Sequence, residues 1–178
     1  MALICYNLHI NSTPTLPKIR FSIGDYLTDF ENIYQIFDKQ TQKDYRGVDC
    51  EYFLYRPLNS TQKAASFSIP VDNIQKSGLR YLIHPQDVKE IYKYLKKPID
   101  ASTIFDFKTI KEILYLNDPN KTIYVLKQLC ANKVTTGEKF SQNYQEIINK
   151  IVFHLSAEIA FVLKKSPESI EKKILSLL

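Results

Sequence analysis

The chain has 178 residues and a formal net charge of +5, from 24 Lys and Arg against 19 Asp and Glu. Its 44% hydrophobic and 24% charged residues exclude wholesale disorder and collagen-like structure. No apolar run reaches the roughly 18 residues that would predict a transmembrane helix. Three scattered cysteines and four glycines predict neither a disulfide framework, nor a zinc site, nor a glycine-rich phosphate loop.

Positive charge is concentrated in the second half of the chain. Residues 1–80 carry nine Lys and Arg against eight Asp and Glu, whereas residues 81–178 carry fifteen against eleven. This excess is compatible with contact to a polyanion, although an ordinary lysine-rich surface is the simpler explanation. The first ten residues have no positive charge ahead of their apolar stretch and make a poor secretory signal. We therefore expect a cytoplasmic protein with reduced thiols.

Short apolar segments in the first half predict a small β-structure. Strand or strand–turn signals occur at Phe21–Asp25, Ile33–Asp38, Glu51–Arg56 and Ala65–Ile69. The polar stretch Lys39–Asp49, which contains Gly47, predicts a hairpin tip. Several short strands in about 60 residues are typical of a small barrel or a strongly bent sheet.

From residue 83 onward the apolar spacing is helical and predicts about five helices. The first helix is predicted to begin at Pro85 and to stop at Lys97–Pro98, and the second covers Phe107–Leu116. Asp118–Pro119 marks the start of the third helix. A capping box at Thr135–Glu138 precedes a long fourth helix, and Ser166–Pro167 precedes the last one. A β-rich half followed by a helical half predicts an α+β chain of two small domains. We place an N-terminal extension at 1–20, a β domain at 21–82 and a compact all-helical domain at 83–178.

No arrangement of side chains predicts catalysis. The three histidines, His9, His84 and His154, are far apart in the sequence and have no metal-ligand or triad partner at motif spacing. The cysteines lack a neighbouring histidine or basic cluster that would lower a thiol pKa. We therefore expect a protein that is not an enzyme and uses no metal, cofactor, membrane or small-molecule substrate.

Binding signals are stronger and lie in the helical half. Lysines on or between its predicted helices are Lys108, Lys111, Lys121, Lys133 and Lys139. They predict either phosphate contacts or a solvated face. Phe105 and Phe107 lie beside Lys108, where an exposed ring could stack on a base or wedge into a base step. The alternative is that both rings anchor the helix in the core.

Several short motifs follow one another in a defined order along the chain. They are Phe21–Asp25, Glu51–Tyr52, Ile69–Pro70, Gly78–Arg80, Leu95–Pro98, Leu114–Asn120, Thr136–Lys139 and Leu155–Ala160. Their joint order and spacing, from about Phe21 to Ile174, resemble the CarD/CdnL family of bacterial transcription factors. The resemblance implies a Tudor-like, SH3-like small β-barrel that docks on the β subunit of RNA polymerase. It also implies a helical domain that contacts promoter DNA at the upstream edge of the transcription bubble and stabilises the open complex.

The resemblance also assigns candidate site residues. For polymerase binding it implies Lys43, with Arg46 and Lys63 as further basic candidates and Ser68 where the family has a basic residue. For DNA binding it implies Ile104 or Phe105 in place of the family's wedge tryptophan, since this chain has no Trp. Lys108 and Lys139 match basic positions of the family, and Lys111 and Lys133 join them as nearby lysines.

Three functional hypotheses remain open. The first is a polymerase-binding regulator that contacts promoter DNA without reading its sequence. The second is a divergent adaptor that docks on polymerase but lacks the DNA wedge, because Ser68 and the missing Trp depart from the family pattern. The third is a helical interaction domain with no role in transcription.

Overall fold

The structure is a computed structural model that describes residues 21–58, 66–98, 105–137 and 140–178. Within these ranges an antiparallel sheet of five strands, curled into a half-barrel, is followed by five α-helices. The prediction of an α+β chain with a bent sheet before a helical half is confirmed. No helix in the described ranges is long and apolar enough to cross a membrane.

The sheet is built from consecutive antiparallel pairs. The strands are β1 Tyr26–Thr28, β2 Ile33–Lys43, β3 Asp49–Pro57, β4 Phe67–Pro70 and β5 Arg80–Tyr81. Their order across the sheet is β4-β3-β2-β1-β5, so β4 and β5 form its edges. A 3₁₀ helix at Val71–Lys76 connects these two edge strands.

The β2–β3 hairpin dominates the sheet and is longer than predicted. Its turn covers only residues 44–48, because Lys43 still pairs with Asp49. The Asp44 amide donates to the Val48 carbonyl at 2.8 Å, and Gly47 takes a positive φ of 80° that suits glycine. A register shift between Ile36 and Asp38 marks a bulge, which bends the hairpin and helps the sheet to curl.

The helices are α1 Asp87–Lys96, α2 Phe107–Tyr115, α3 Pro119–Thr136, α4 Gln142–Leu163 and α5 Pro167–Leu175. Two predicted caps are confirmed, because the Asp118 carboxylate accepts the amides of Asn120 and Lys121, and the Ser166 hydroxyl accepts the amide of Ser169. Both caps precede a proline at the first helical position, a sequence signal that depends on local geometry alone.

The predicted capping box at Thr135 is wrong. Thr135 lies in the last turn of α3, where its hydroxyl donates to the Ala131 carbonyl at 3.0 Å. Threonine can make this bond to the carbonyl four residues earlier inside a helix, so it no longer serves as a cap. The helix α4 instead begins after Ser141, and Glu138 lies outside the described residues.

Two hydrophobic clusters form the core. The sheet cluster consists of Phe21, Leu27, Tyr34, Ile36, Phe53, Ile74 and Leu79. The helical cluster includes the fully buried side chains Ile110, Val125, Leu126, Ile151, Ile159 and Ile174. Along the chain the change from one cluster to the other falls between Leu79 and Ile83, and Phe30 from the β1–β2 loop also packs against the helical cluster.

Candidate functional site

A buried ion pair joins the sheet to the helices. Arg80 of β5 makes two parallel bonds to Glu158 of α4, Nη1 to Oε1 at 2.6 Å and Nη2 to Oε2 at 2.8 Å. Oε1 also accepts the amide of Ile83 at 2.7 Å, and Glu158 is only 5% exposed. A bidentate guanidinium–carboxylate pair fixes distance and angle together. It therefore sets how α4 lies against the edge of the sheet.

Asn117, in the turn between α2 and α3, extends this network. Arg80 Nε donates to the Asn117 carbonyl at 2.7 Å. The Asn117 side-chain amide donates in turn to the carbonyls of Thr28 and Gly78, both at 2.9 Å. Asn117 is buried and has a left-handed φ of 51°, a conformation that asparagine tolerates better than most residues. The turn between two helices is thereby bonded to both β1 and the segment before β5.

Further contacts connect the sheet side of the molecule with helix α4. Lys150 of α4 forms an exposed ion pair with Glu31, with Nζ 2.6 Å from Oε1. The rings of Phe30 and His154 lie 5.1 Å apart between centroids. Burial is the main cause that lowers the pKa of His154, and the nearby Lys150 ammonium lowers it further. The junction between sheet and helices is therefore polar at its centre and aromatic at its side.

The predicted polymerase-binding residues divide between two places on the sheet. Lys43 ends β2 and Arg46 lies in the hairpin turn, and both side chains are exposed. The guanidinium of Arg46 lies 4.9 Å from the ring centroid of Tyr45, which is 86% exposed. We call these three residues the hairpin tip.

Ser68 lies away from the hairpin tip, on the edge strand β4. It is exposed and pairs with Leu54, five residues along β3 from Asp49. At about 3.4 Å per residue this places Ser68 roughly 17 Å from the hairpin end of β3. Lys63, the remaining candidate, lies outside the described residues.

The predicted DNA-binding lysines are solvent-exposed where the structure describes them. Lys108 and Lys111 lie in α2, and Lys133 lies in the last turn of α3. Lys108 is 3.9 Å from Glu112, and Lys111 Nζ lies 4.5 Å from the ring centroid of Phe107. Ile104 and Lys139 lie outside the described residues.

The two aromatic candidates before and in α2 have different environments. Phe105 is half-buried against the helical cluster, edge-to-face with Tyr124 at 5.9 Å, and its carbonyl accepts the Tyr144 hydroxyl at 3.2 Å. This position suits an anchor better than a wedge. Phe107 is 38% exposed, so it is the more accessible of the two rings.

Sequence reasoning missed a third aromatic side chain on α2. Tyr115, which the pattern placed in an apolar helix, is 79% exposed. It lies eight residues after Phe107 and four after Lys111, so the three share one face of the helix. The spacing was visible in the sequence, but which face the core covers was not.

The two cysteines in the described part of the chain are both half-buried. Burial raises the pKa of Cys130 to about 11, which leaves little thiolate at neutral pH. Cys50 is half-buried in β3. Among the described residues no group of three or more His, Cys, Asp or Glu side chains could hold a metal ion.

Comparison with known proteins found no family model and no curated protein that matches this chain.

Proposed function

We propose that this chain is a transcription regulator that binds the β subunit of RNA polymerase and stabilises the promoter open complex. The proposal takes the curled sheet as a Tudor-like docking module and the helical half as a DNA-contacting domain that does not read base sequence. It involves no catalysis, cofactor, membrane or small-molecule substrate.

The observation that carries the proposal is the network of Arg80, Asn117 and Glu158. These residues come from three separate segments on which the resemblance to the CarD/CdnL family rests, Gly78–Arg80, Leu114–Asn120 and Leu155–Ala160. They meet in a single set of partly buried hydrogen bonds. Each of the three segments supplies one residue to the same junction. This shared structural role supports the resemblance, which rests on the presence of all three segments.

A tethered DNA contact requires a defined placement of the helices relative to the sheet, and the bonds of Arg80, Asn117 and Glu158 join these two parts. When one part of the chain is docked on polymerase, the other is held near promoter DNA at an effective concentration of roughly millimolar. Weak contacts then suffice, because a preference of about 1.4 kcal/mol for open over closed DNA shifts that equilibrium tenfold. In this proposal the hairpin tip and β4 face the polymerase, and α2 with its lysines faces the DNA.

One observation favours the adaptor as a second candidate function. Phe105 packs against Tyr124 and the helical cluster, so it would have to leave that position to enter a base step. A chain that makes no contact favouring open DNA would still dock on polymerase but would not prolong the open complex. Both functions therefore predict binding to the β subunit, but only the regulator prolongs the lifetime of the open complex.

The first test is binding of the full chain to the purified β subunit of a bacterial RNA polymerase. We expect saturable binding that Lys43→Glu weakens several-fold, because reversing an exposed charge in an interface slows association and creates like-charge contacts. The matched control is Lys89→Glu, the same charge change at an exposed position of α1. Absence of binding by the unmodified chain, or equal binding by the two variants, would contradict the proposed docking surface.

A further inference from the structure

One face of α2 presents two aromatic rings with a lysine between them. Phe107, Lys111 and Tyr115 follow at intervals of four residues, and we call them the α2 stripe. At 1.5 Å per residue the ends of the stripe are roughly 12 Å apart along the helix axis. Tyr115 is 79% exposed, so its ring is open to a ligand. Phe107 is 38% exposed and its ring carries the Lys111 ammonium, so a base can stack on Phe107 only after Lys111 moves off the ring.

The charges around the stripe are largely compensated. Lys150, which borders the groove beside α2, is paired with Glu31 at 2.6 Å, and Lys108 lies 3.9 Å from Glu112. Lys111 has no carboxylate partner within 4 Å among the described residues, and its ammonium lies over the Phe107 ring. Contact with duplex DNA through its phosphates generally uses several cations, whereas the described part of this face offers one, Lys111, without a carboxylate within 4 Å.

Exposed aromatic rings with one intervening cation are instead typical of surfaces that bind single-stranded nucleic acid. There the rings stack on successive unpaired bases and the cation contacts the backbone between them. Bases in a duplex rise only about 3.4 Å per step and are already stacked. An unpaired strand can extend to match rings that are about 12 Å apart.

We propose that the α2 stripe binds unpaired DNA bases, with Tyr115 and Phe107 as stacking platforms for bases two nucleotides apart and Lys111 on the backbone between them. This inference rests on the proposed function, which supplies the unpaired DNA: the melted strand at the edge of the promoter bubble. It explains how the chain could prefer open to closed DNA without a wedge at residue 104 or 105. The unpaired strand exists only in the open state, so binding to it favours that state.

The test is fluorescence anisotropy of the full chain with a labelled oligothymidylate of about 12 nucleotides and with a duplex of the same length. We expect the single strand to bind more tightly than the duplex. Tyr115→Ala should weaken single-strand binding roughly tenfold, within the range found for loss of one base–aromatic stack. Tyr115→Phe should keep most of the affinity, because it keeps the ring.

The control is Phe153→Ala, since Phe153 is an aromatic residue on α4 that is 62% exposed and lies outside the α2 stripe. We expect this variant to bind the single strand as the unmodified chain does. Equal binding of duplex and single strand, no binding of either, or equal losses in the Tyr115→Ala and Phe153→Ala variants would each overturn the inference. None of these results depends on docking, so β-subunit binding in the earlier test separates failure of this inference from failure of the proposed function.

Discussion

Glu158→Ala is expected to lower the free energy of unfolding by about 3 kcal/mol, the lower end of the range for breaking a buried ion pair from one side, because the Arg80 side chain is 22% exposed. The change leaves the Arg80 guanidinium without its carboxylate, and it removes the acceptor of the Ile83 amide. Urea denaturation followed by circular dichroism measures the effect. Double substitution of Arg80 and Glu158 by apolar residues of similar volume should recover part of the loss, because no charge is then left unpaired.

The matched control is Glu31→Ala, which breaks the pair with Lys150. That pair has the same 2.6 Å separation, but both of its side chains are about half exposed. Water solvates the remaining charge, so the loss should stay below about 1 kcal/mol. If Glu158→Ala and Glu31→Ala lowered the free energy of unfolding equally, burial of the Arg80–Glu158 pair would not determine how much that pair stabilises the fold.

Asn117→Ala is expected to lower the free energy of unfolding by about 3 kcal/mol or more. The carbonyls of Thr28 and Gly78 lose their donor, at roughly 1 kcal/mol or more for each unmade buried bond. Alanine also resists the left-handed φ of 51°, which adds about 1 kcal/mol.

Asn117→Gly separates these two causes. Glycine accepts the left-handed backbone but still lacks the amide donor. The glycine variant should therefore be more stable than the alanine variant and less stable than the unmodified chain. Asn120→Ala, an exposed position three residues later, serves as the control and should change stability by less than about 0.5 kcal/mol. Unfolding of all three variants in urea provides the comparison. A glycine variant as stable as the unmodified chain would show that the side-chain amide of Asn117 contributes nothing.

Features with local causes could be predicted from the sequence. The starts of α3 and α5 follow from a capping residue before a proline, which needs no information from the rest of the chain. The hairpin also follows from its polar turn, although the strands extend further because β2 and β3 continue to pair. In contrast, β1 and β5 have only three and two residues, too few to show a period. They exist because β1 pairs with β2 on one side and with β5 on the other.

Features that depend on distant contacts could not be predicted in the same way. Arg80 lies 37 residues from Asn117 and 78 from Glu158, and no spacing rule brings such residues together. The resemblance marked their segments but not their contacts. Likewise, the sequence left both Phe105 and Phe107 as candidates for an exposed ring, and only their burial distinguishes them. The exposure of Tyr115 depends on which face of α2 the helical cluster covers.

The most direct measurement of the proposed function is the lifetime of a promoter open complex after challenge with a DNA competitor. Purified bacterial RNA polymerase holoenzyme is assembled on promoter DNA, with the unmodified chain, with Lys43→Glu, or alone. We predict that the unmodified chain prolongs the lifetime several-fold and that Lys43→Glu does so much less at the same concentration. An unchanged lifetime at concentrations that saturate β-subunit binding would contradict stabilisation of the open complex and would leave only the adaptor.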